Sequence, residues 1–171
     1  MFASWISRIF LTLAVAFALV LTACEQINNY RIPAAPVNIE LNNQGLWDSY
    51  GVHSFGEYKF FIRDLRQPDN YSYTANTYTG YGGVLLISGY SNGDYNTPLA
   101  YDLACPVEVK NNIRVTIDPI NKQAVCPECG SRFDVTEGDG RPVSGKALEL
   151  NYGLQRYHAY PSQYGGYVIS R

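Results

Sequence analysis

The sequence has little excess charge and few of the residues from which catalytic centres are usually built. Its 13 basic and 15 acidic side chains give a net charge of −2, so no basic field indicates nucleic acid or an anionic membrane as a partner. Only two histidines occur, His53 and His158, and their spacing does not indicate metal ligands. There is no Ser-His-Asp order, phosphate-binding glycine loop or usefully spaced carboxylate pair, so we expect no catalytic residues.

The sequence also lacks an internal repeat and, beyond its N-terminus, a convincing amphipathic helix. It is rich instead in residues of strands and turns, with 15 Tyr, 15 Gly and 9 Pro. Tyrosine suits a strand with one wet face because its ring packs while its hydroxyl stays near water. Many short segments separated by turns predict an all-β domain, a small sandwich or barrel.

The predicted strands are alternating segments or short apolar runs. They cover residues 37–41, 58–62, 81–88, 99–103, 113–118, 124–125, 133–135, 148–150, 156–160 and 166–170. Residues 91–94 (SNGD) carry a hairpin signal, and residues 42–45 (NNQG) predict a turn or loop.

The N-terminus has the pattern of a targeting segment. Arg8 and the α-amino group precede an apolar run over residues 9–23, as in a signal peptide. The run ends in LTAC (residues 21–24), which looks like a bacterial lipobox, in which the cysteine accepts a diacylglycerol. An ordinary secretory signal with a coincidental cysteine is the alternative, and the run is short for a transmembrane anchor.

This pattern divides the chain into three parts. We predict a lipoprotein signal peptide over residues 1–23, a tether that begins at a lipidated Cys24 and covers residues 24–36, and a β domain over residues 37–171. The domain is then held on a membrane of the bacterial cell envelope by its lipid, outside the cytoplasm. Disulfides are permitted there.

Two short cysteine segments carry the strongest functional signal. Residues 105–107 read CPV and residues 126–134 read CPECGSRFD. With one cysteine assigned to lipid, three are left: Cys105, Cys126 and Cys129. One disulfide leaves a thiol over, whereas a metal takes all three, and thiolates are the soft donors that zinc and iron–sulfur sites favour.

The two segments resemble the cluster-binding loops of the Rieske iron–sulfur domain, which usually read Cys-x-His and Cys-Pro-x-His-Gly-Ser-x-Phe-Asp. In the second segment only the histidine position differs, and Cys129 occupies it; in the first, Val107 occupies the histidine position. Residues 140–145 (GRPVSG) resemble the proline-containing loop that covers the cluster. The resemblance covers roughly residues 37–170. The chain is also similar to a group of Bacteroidetes lipoproteins with an Ile-Pro-x-x-Pro-Val-Asn start.

The resemblance implies an all-β domain with both cysteine loops at hairpin tips. It also implies a [2Fe–2S] cluster held by three cysteines, a hydrogen bond from Ser131 that tunes it, and one-electron transfer to an unidentified partner in the envelope. Those cysteines are Cys105, Cys126 and Cys129.

The ligand count leaves two alternatives open, because Val107 cannot bind a metal and a [2Fe–2S] cluster needs four protein ligands. One is a Zn²⁺ clip with three thiolates and water or Glu108. The other is a metal-free domain of structural or interaction role, in which Cys126 forms a disulfide with Cys105 or Cys129.

Overall fold

The structure, a computed structural model, describes residues 26–137 and 139–171. The predicted signal peptide, the lipid site Cys24 and the first residues of the predicted tether lie outside the described residues. No helix in the described part of the chain is long and apolar enough to cross a membrane.

The prediction of an all-β domain is confirmed, since strands account for most of the regular structure. The strands are β1 (Val37–Leu41), β2 (Tyr58–Phe61), β3 (Tyr78–Thr79), β4 (Val84–Ser91), β5 (Asp94–Asp102), β6 (Thr116–Ile117), β7 (Ala124–Val125), β8 (Arg132–Asp134), β9 (Arg141–Ser144), β10 (Arg156–Pro161) and β11 (Tyr167–Ser170). The helical segments are short: α1 (Gln44–Tyr50), α2 (Lys146–Glu149) and a 3₁₀ turn (Arg63–Leu65).

The strands form two antiparallel sheets. The large sheet has seven strands in the order β2-β4-β5-β10-β11-β1-β3 and is nearly closed into a barrel. The small sheet has four strands in the order β6-β7-β8-β9. The β4–β5 hairpin turns at Asn92 and Gly93, whose φ angles of 53° and 88° are both positive, as a two-residue type I′ turn requires. The predicted hairpin is therefore confirmed.

Strand β4 is buried on both of its faces. Leu85 and Ile87 pack into an apolar cluster shared with the small sheet, which we call the outer core. Val84 and Leu86 pack into a second cluster with β1 and Trp47, which we call the inner core. A strand that is covered on both sides needs apolar residues at every position, and this explains the unbroken apolar run in the sequence.

Part of the segment predicted as a tether lies against this domain. Asn28 forms a parallel bridge with Tyr152, and its amide donates to the carbonyl of Asn151 at 2.9 Å. The guanidinium of Arg31 lies 4.5 Å from the centre of the Tyr152 ring, and Ile32 is buried. Residues 28–32 are therefore packed on the β domain.

Two local predictions are wrong, one of them in part. The turn or loop predicted at residues 42–45 holds for Asn42 and Asn43, but Gln44 and Gly45 begin α1, which Asn43 caps, its side-chain oxygen accepting from the Leu46 amide at 3.0 Å. Residues 148–150 were expected to form a strand, but they lie in α2 and its C-cap, with Ala147 buried and Leu148 exposed. A three-residue alternation does not separate a strand from one helical turn, so packing decides the outcome.

Candidate metal centre

The first cysteine loop leaves the end of β5, in the large sheet. Ala104 and Arg114 form an antiparallel bridge, and the Cys105 amide donates to the Ile113 carbonyl at 3.1 Å. The Cys105 carbonyl accepts from the Val109 amide at 2.9 Å, which closes the turn that follows the cysteine. This loop therefore lies at the tip of an antiparallel pair, as expected.

The second cysteine loop connects β7 and β8, in the small sheet. The Cys126 amide donates to the Ser131 carbonyl at 2.9 Å, and the Cys126 carbonyl accepts from the Gly130 amide at 3.0 Å. Gly130 has a φ of 68°, a left-handed conformation that glycine adopts without steric cost. The second loop is thus a hairpin tip as well.

The fold brings the three predicted site cysteines together. The sulfurs of Cys105, Cys126 and Cys129 all lie within 4.8 Å of one another, and Cys105 Sγ is 3.7 Å from Cys129 Sγ. All three are free thiols. Among the described residues, no histidine or carboxylate joins this group, and Val107 packs against the outer core.

Two of the thiols resist ionisation. Burial raises the pKa of Cys105 although the backbone amides of Glu108 and Val107 hydrogen-bond to its sulfur. Burial likewise raises the pKa of Cys126, against hydrogen bonds from the amides of Cys129 and Glu128. Both sulfurs are therefore protonated at neutral pH until a cation displaces their protons.

The third thiol has the opposite tendency. Burial acts to raise the pKa of Cys129, but hydrogen bonds from Ser131 and from the other two thiols outweigh it, and the pKa ends below its ordinary value. Ser131 Oγ lies 3.2 Å from Cys129 Sγ and accepts from the Ala147 amide at 3.0 Å. As a thiol, Cys129 donates to Ser131 Oγ; once it ionises, the serine hydroxyl donates to the sulfur. The serine expected to tune the site does contact a cysteine sulfur.

Residues 140–145, which resemble a loop that covers the cluster, form strand β9 beside β8 and then approach Ser131. Gly145 follows the strand with a φ of 75°, and a Cβ added to it would lie 3.0 Å from Ser131 Cα. Any side chain at position 145 would therefore be strained and would crowd the residue that supports Cys129.

Sequence reasoning missed one buried residue that shapes the first loop. The carboxylate of Asp102 accepts from the amides of Tyr81 at 2.9 Å, Gly82 at 3.0 Å and Ala104 at 2.7 Å, and from the Tyr157 hydroxyl at 2.6 Å. Burial raises the pKa of Asp102, and these hydrogen bonds oppose the rise. The available signal was an acidic residue inside an apolar stretch, which is rare unless its charge is fully hydrogen-bonded.

The distance between two of the three sulfurs fits a single tetrahedral metal. Two thiolates bound at about 2.3 Å to one tetrahedral ion lie about 3.8 Å apart. The 3.7 Å between Cys105 Sγ and Cys129 Sγ matches that spacing. In a [2Fe–2S] cluster, thiolates on different irons are separated by the bridged pair of irons and lie farther apart. The three thiols, and the distance between the sulfurs of Cys105 and Cys129, are therefore compatible with one thiolate-preferring ion.

No protein-family model matches this chain, and no curated protein matches it. The resemblance to the Rieske domain therefore depends on the residues of the two loops and on the all-β fold.

Proposed function

We propose that this protein is an envelope-anchored β domain that binds one thiolate-preferring metal ion through Cys105, Cys126 and Cys129. The observation that carries the proposal is the convergence of three sulfurs from two loops within 4.8 Å. Three thiolates that meet at a partly buried site are the donor set of a zinc site or a mononuclear iron site.

The position of the cysteines supports a structural role for this ion. Cys105 follows the end of β5 in the large sheet, whereas Cys126 and Cys129 belong to the β7–β8 hairpin of the small sheet. A metal bound to all three sulfurs links the two sheets. Because a structural site of this kind forms only in the folded state, its binding free energy adds to the stability of the fold.

A second candidate function is one-electron transfer by a [2Fe–2S] cluster. The observation that favours it is the hydrogen bonding to sulfur: backbone amides contact Cys105 and Cys126, and Ser131 contacts Cys129. Hydrogen bonds of this kind tune cluster potentials. A cluster there requires a fourth ligand and wider separation of the sulfurs than the 3.7 Å between Cys105 and Cys129.

Metal analysis of the full chain, purified in detergent without oxygen, tests both candidates. About one zinc or iron per chain without the spectrum of a cluster supports the mononuclear site. About two irons per chain with a brown colour supports the cluster. Absence of metal, with a Cys105–Cys126 or Cys126–Cys129 disulfide found by mass spectrometry, would overturn both and establish the stapled domain.

Two cysteine variants provide the matched comparison. Cys126→Ser should abolish metal binding because it removes one of three thiolates. Cys24→Ala removes a cysteine outside the cluster and should leave the metal content unchanged. Metal retained in the first variant would contradict the ligand assignment.

We further propose that Cys24 carries the lipid that holds the domain on a membrane of the bacterial envelope. The support is the charged residue, apolar run and lipobox-like end of residues 1–24. In a bacterial host, Cys24→Ala should move the protein out of the membrane fraction. Unchanged sedimentation with membranes would contradict the lipoprotein assignment.

A further inference from the structure

The two cysteine loops have the same backbone turn. Each begins with Cys-Pro, and in each the cysteine carbonyl accepts from the amide four residues later, from Val109 at 2.9 Å and from Gly130 at 3.0 Å. Both of these residues have positive φ, 53° for Val109 and 68° for Gly130. The turns after Cys105 and Cys126 therefore correspond residue by residue, counted from each cysteine.

The hydrogen bonds to sulfur repeat in the same way. The amides of the second and third residues after Cys105, Val107 and Glu108, bond to its sulfur. The amides of the second and third residues after Cys126, Glu128 and Cys129, hydrogen-bond to the Cys126 sulfur. Glu108 in the first loop therefore occupies the place that Cys129 occupies in the second.

The first loop keeps this turn against the preference of its own residue. Val109 is β-branched, and such residues rarely adopt a φ of 53°, whereas glycine at position 130 does so freely. An unfavourable conformation persists where the surroundings determine it, and such positions cluster at functional sites. The strain indicates that the turn is required to place the preceding residues.

From this equivalence we infer that Glu108 supplies the fourth ligand, a carboxylate oxygen, to the metal held by the three cysteines. The inference rests on the proposed metal-binding function. Glu108 would take the role that the Rieske pattern gives to position 107. Val107, which occupies that position here, packs against the outer core. A carboxylate binds zinc at about 2.0–2.2 Å and completes a tetrahedral set.

The carboxylate must move to reach the ion. Among the described residues, the group of ligand atoms within 4.8 Å of one another consists of the three sulfurs, and the Glu108 carboxylate lies outside it. Glu108 is half-buried, and its amide hydrogen-bonds to the Cys105 sulfur. A glutamate side chain is longer than that of cysteine, and rotation about its side-chain bonds changes where its oxygens lie. As a hard donor, it favours Zn²⁺ or iron over Cu(I) in this set.

Zinc affinity of the full chain in detergent, measured by competition with a chromophoric chelator, tests this assignment. Glu108→Gln should weaken zinc binding by at least about tenfold. Removing a residue that only hydrogen-bonds to a metal ligand already lowers metal affinity by about that factor, and loss of the ligand itself should lower it at least as much. Glu128→Gln is the matched control. It removes the same charge from the second loop at the position that corresponds to Val107, and it should change affinity by less than about twofold. Equal shifts in the two variants would overturn the assignment.

A gain-of-ligand variant gives an independent readout. Glu108→Cys loaded with Co²⁺ should show thiolate-to-cobalt charge-transfer absorption about one third stronger than the wild type, as four thiolates replace three. Unchanged intensity would contradict the placement of this residue. If wild-type protein binds one zinc but ignores both changes at position 108, only the fourth ligand is wrong. If the wild-type protein binds neither zinc nor iron, the proposed function fails, and the fourth-ligand assignment fails with it.

Discussion

The two sheets of this domain are stabilised in different ways. In the large sheet, β4 and β5 run for 8 and 9 residues, and β4 is covered by apolar side chains on both faces. In the small sheet, the strands have only 2, 2, 3 and 4 residues. Strands this short bury little surface and form few ladder hydrogen bonds, so the small sheet needs support from outside its own ladder.

The support comes from the residues that join the small sheet to the large one. Phe133 and Ala124 are buried in the outer core, and the cysteine sulfurs meet between the loops of the two sheets. The ion pair of Arg132 with Asp118, at 2.8 Å, is partly exposed and is a weaker contribution. In the small sheet, apolar contacts with the outer core and a cluster of three thiols, which the proposed metal would close, therefore stand in for strand length.

The largest effect should come from the inner core. Leu86→Ala should lower the free energy of unfolding by about 2–5 kcal/mol, because Leu86 is fully buried and its loss leaves a cavity. Urea denaturation followed by circular dichroism measures it. Metal content of the folded variant should stay at the wild-type level, since Leu86 faces away from the small sheet. Metal lost from a folded Leu86→Ala protein would show that the two cores are not separate.

Asp102→Asn should have the next largest effect, lowering the free energy of unfolding by about 1–3 kcal/mol. The NH2 group that replaces one oxygen cannot accept a hydrogen bond. Depending on which oxygen is replaced, either the Tyr81 amide and the Tyr157 hydroxyl or the Gly82 and Ala104 amides lose their acceptor. Tyr157→Phe removes only the hydroxyl partner and should cost less, about 0.5–1.5 kcal/mol. Equal losses in the same denaturation assay would mean that the backbone amides are not the main partners.

Removal of the proposed metal should affect the hydrogen-exchange rates of the two sheets differently. Stripping the proposed ion with a chelator should speed exchange in peptides that cover β7, β8 and the second cysteine loop, because the ion would link the two sheets. Amides of β4 and β5 should stay protected. Uniform acceleration across the chain, or none, would contradict the division between a self-supporting sheet and a metal-supported sheet.

The smallest expected effect concerns pH. Hydrogen bonds from the Arg132 side chain and from the amides of Ile120 and Asn121 lower the pKa of Asp118 to about 2, from an ordinary value of 3.8. A depressed pKa stabilises the folded state above the unfolded value, and this contribution is lost as pH falls from about 4 towards 2. The difference in unfolding free energy between wild type and Asp118→Asn should therefore shrink as the pH falls through this window. A constant difference would contradict the role of the ion pair.

The sequence predicts most of the large sheet and less of the small one. The strand at residues 37–41, the apolar run of β4 and the turn at Asn92 and Gly93 are confirmed because their signals are local and strong. The strand expected at residues 113–118 is only Thr116–Ile117 in the structure. Short segments have too few residues for a reliable periodicity, and helices as short as α1 and α2 form through tertiary packing and caps more than through propensity.

By itself, the sequence determined the all-β class, the two Cys-Pro loops and the identity of the thiol donors, because each of these depends on neighbouring residues. Only the tertiary structure decided that Cys105 meets Cys126 and Cys129, since the first lies in the connection between β5 and β6 and the others lie in the β7–β8 hairpin. It also decided which residue after Cys105 corresponds to Cys129. That correspondence depends on the hydrogen bonds of the turn and the φ of Val109, and residue spacing alone does not define them.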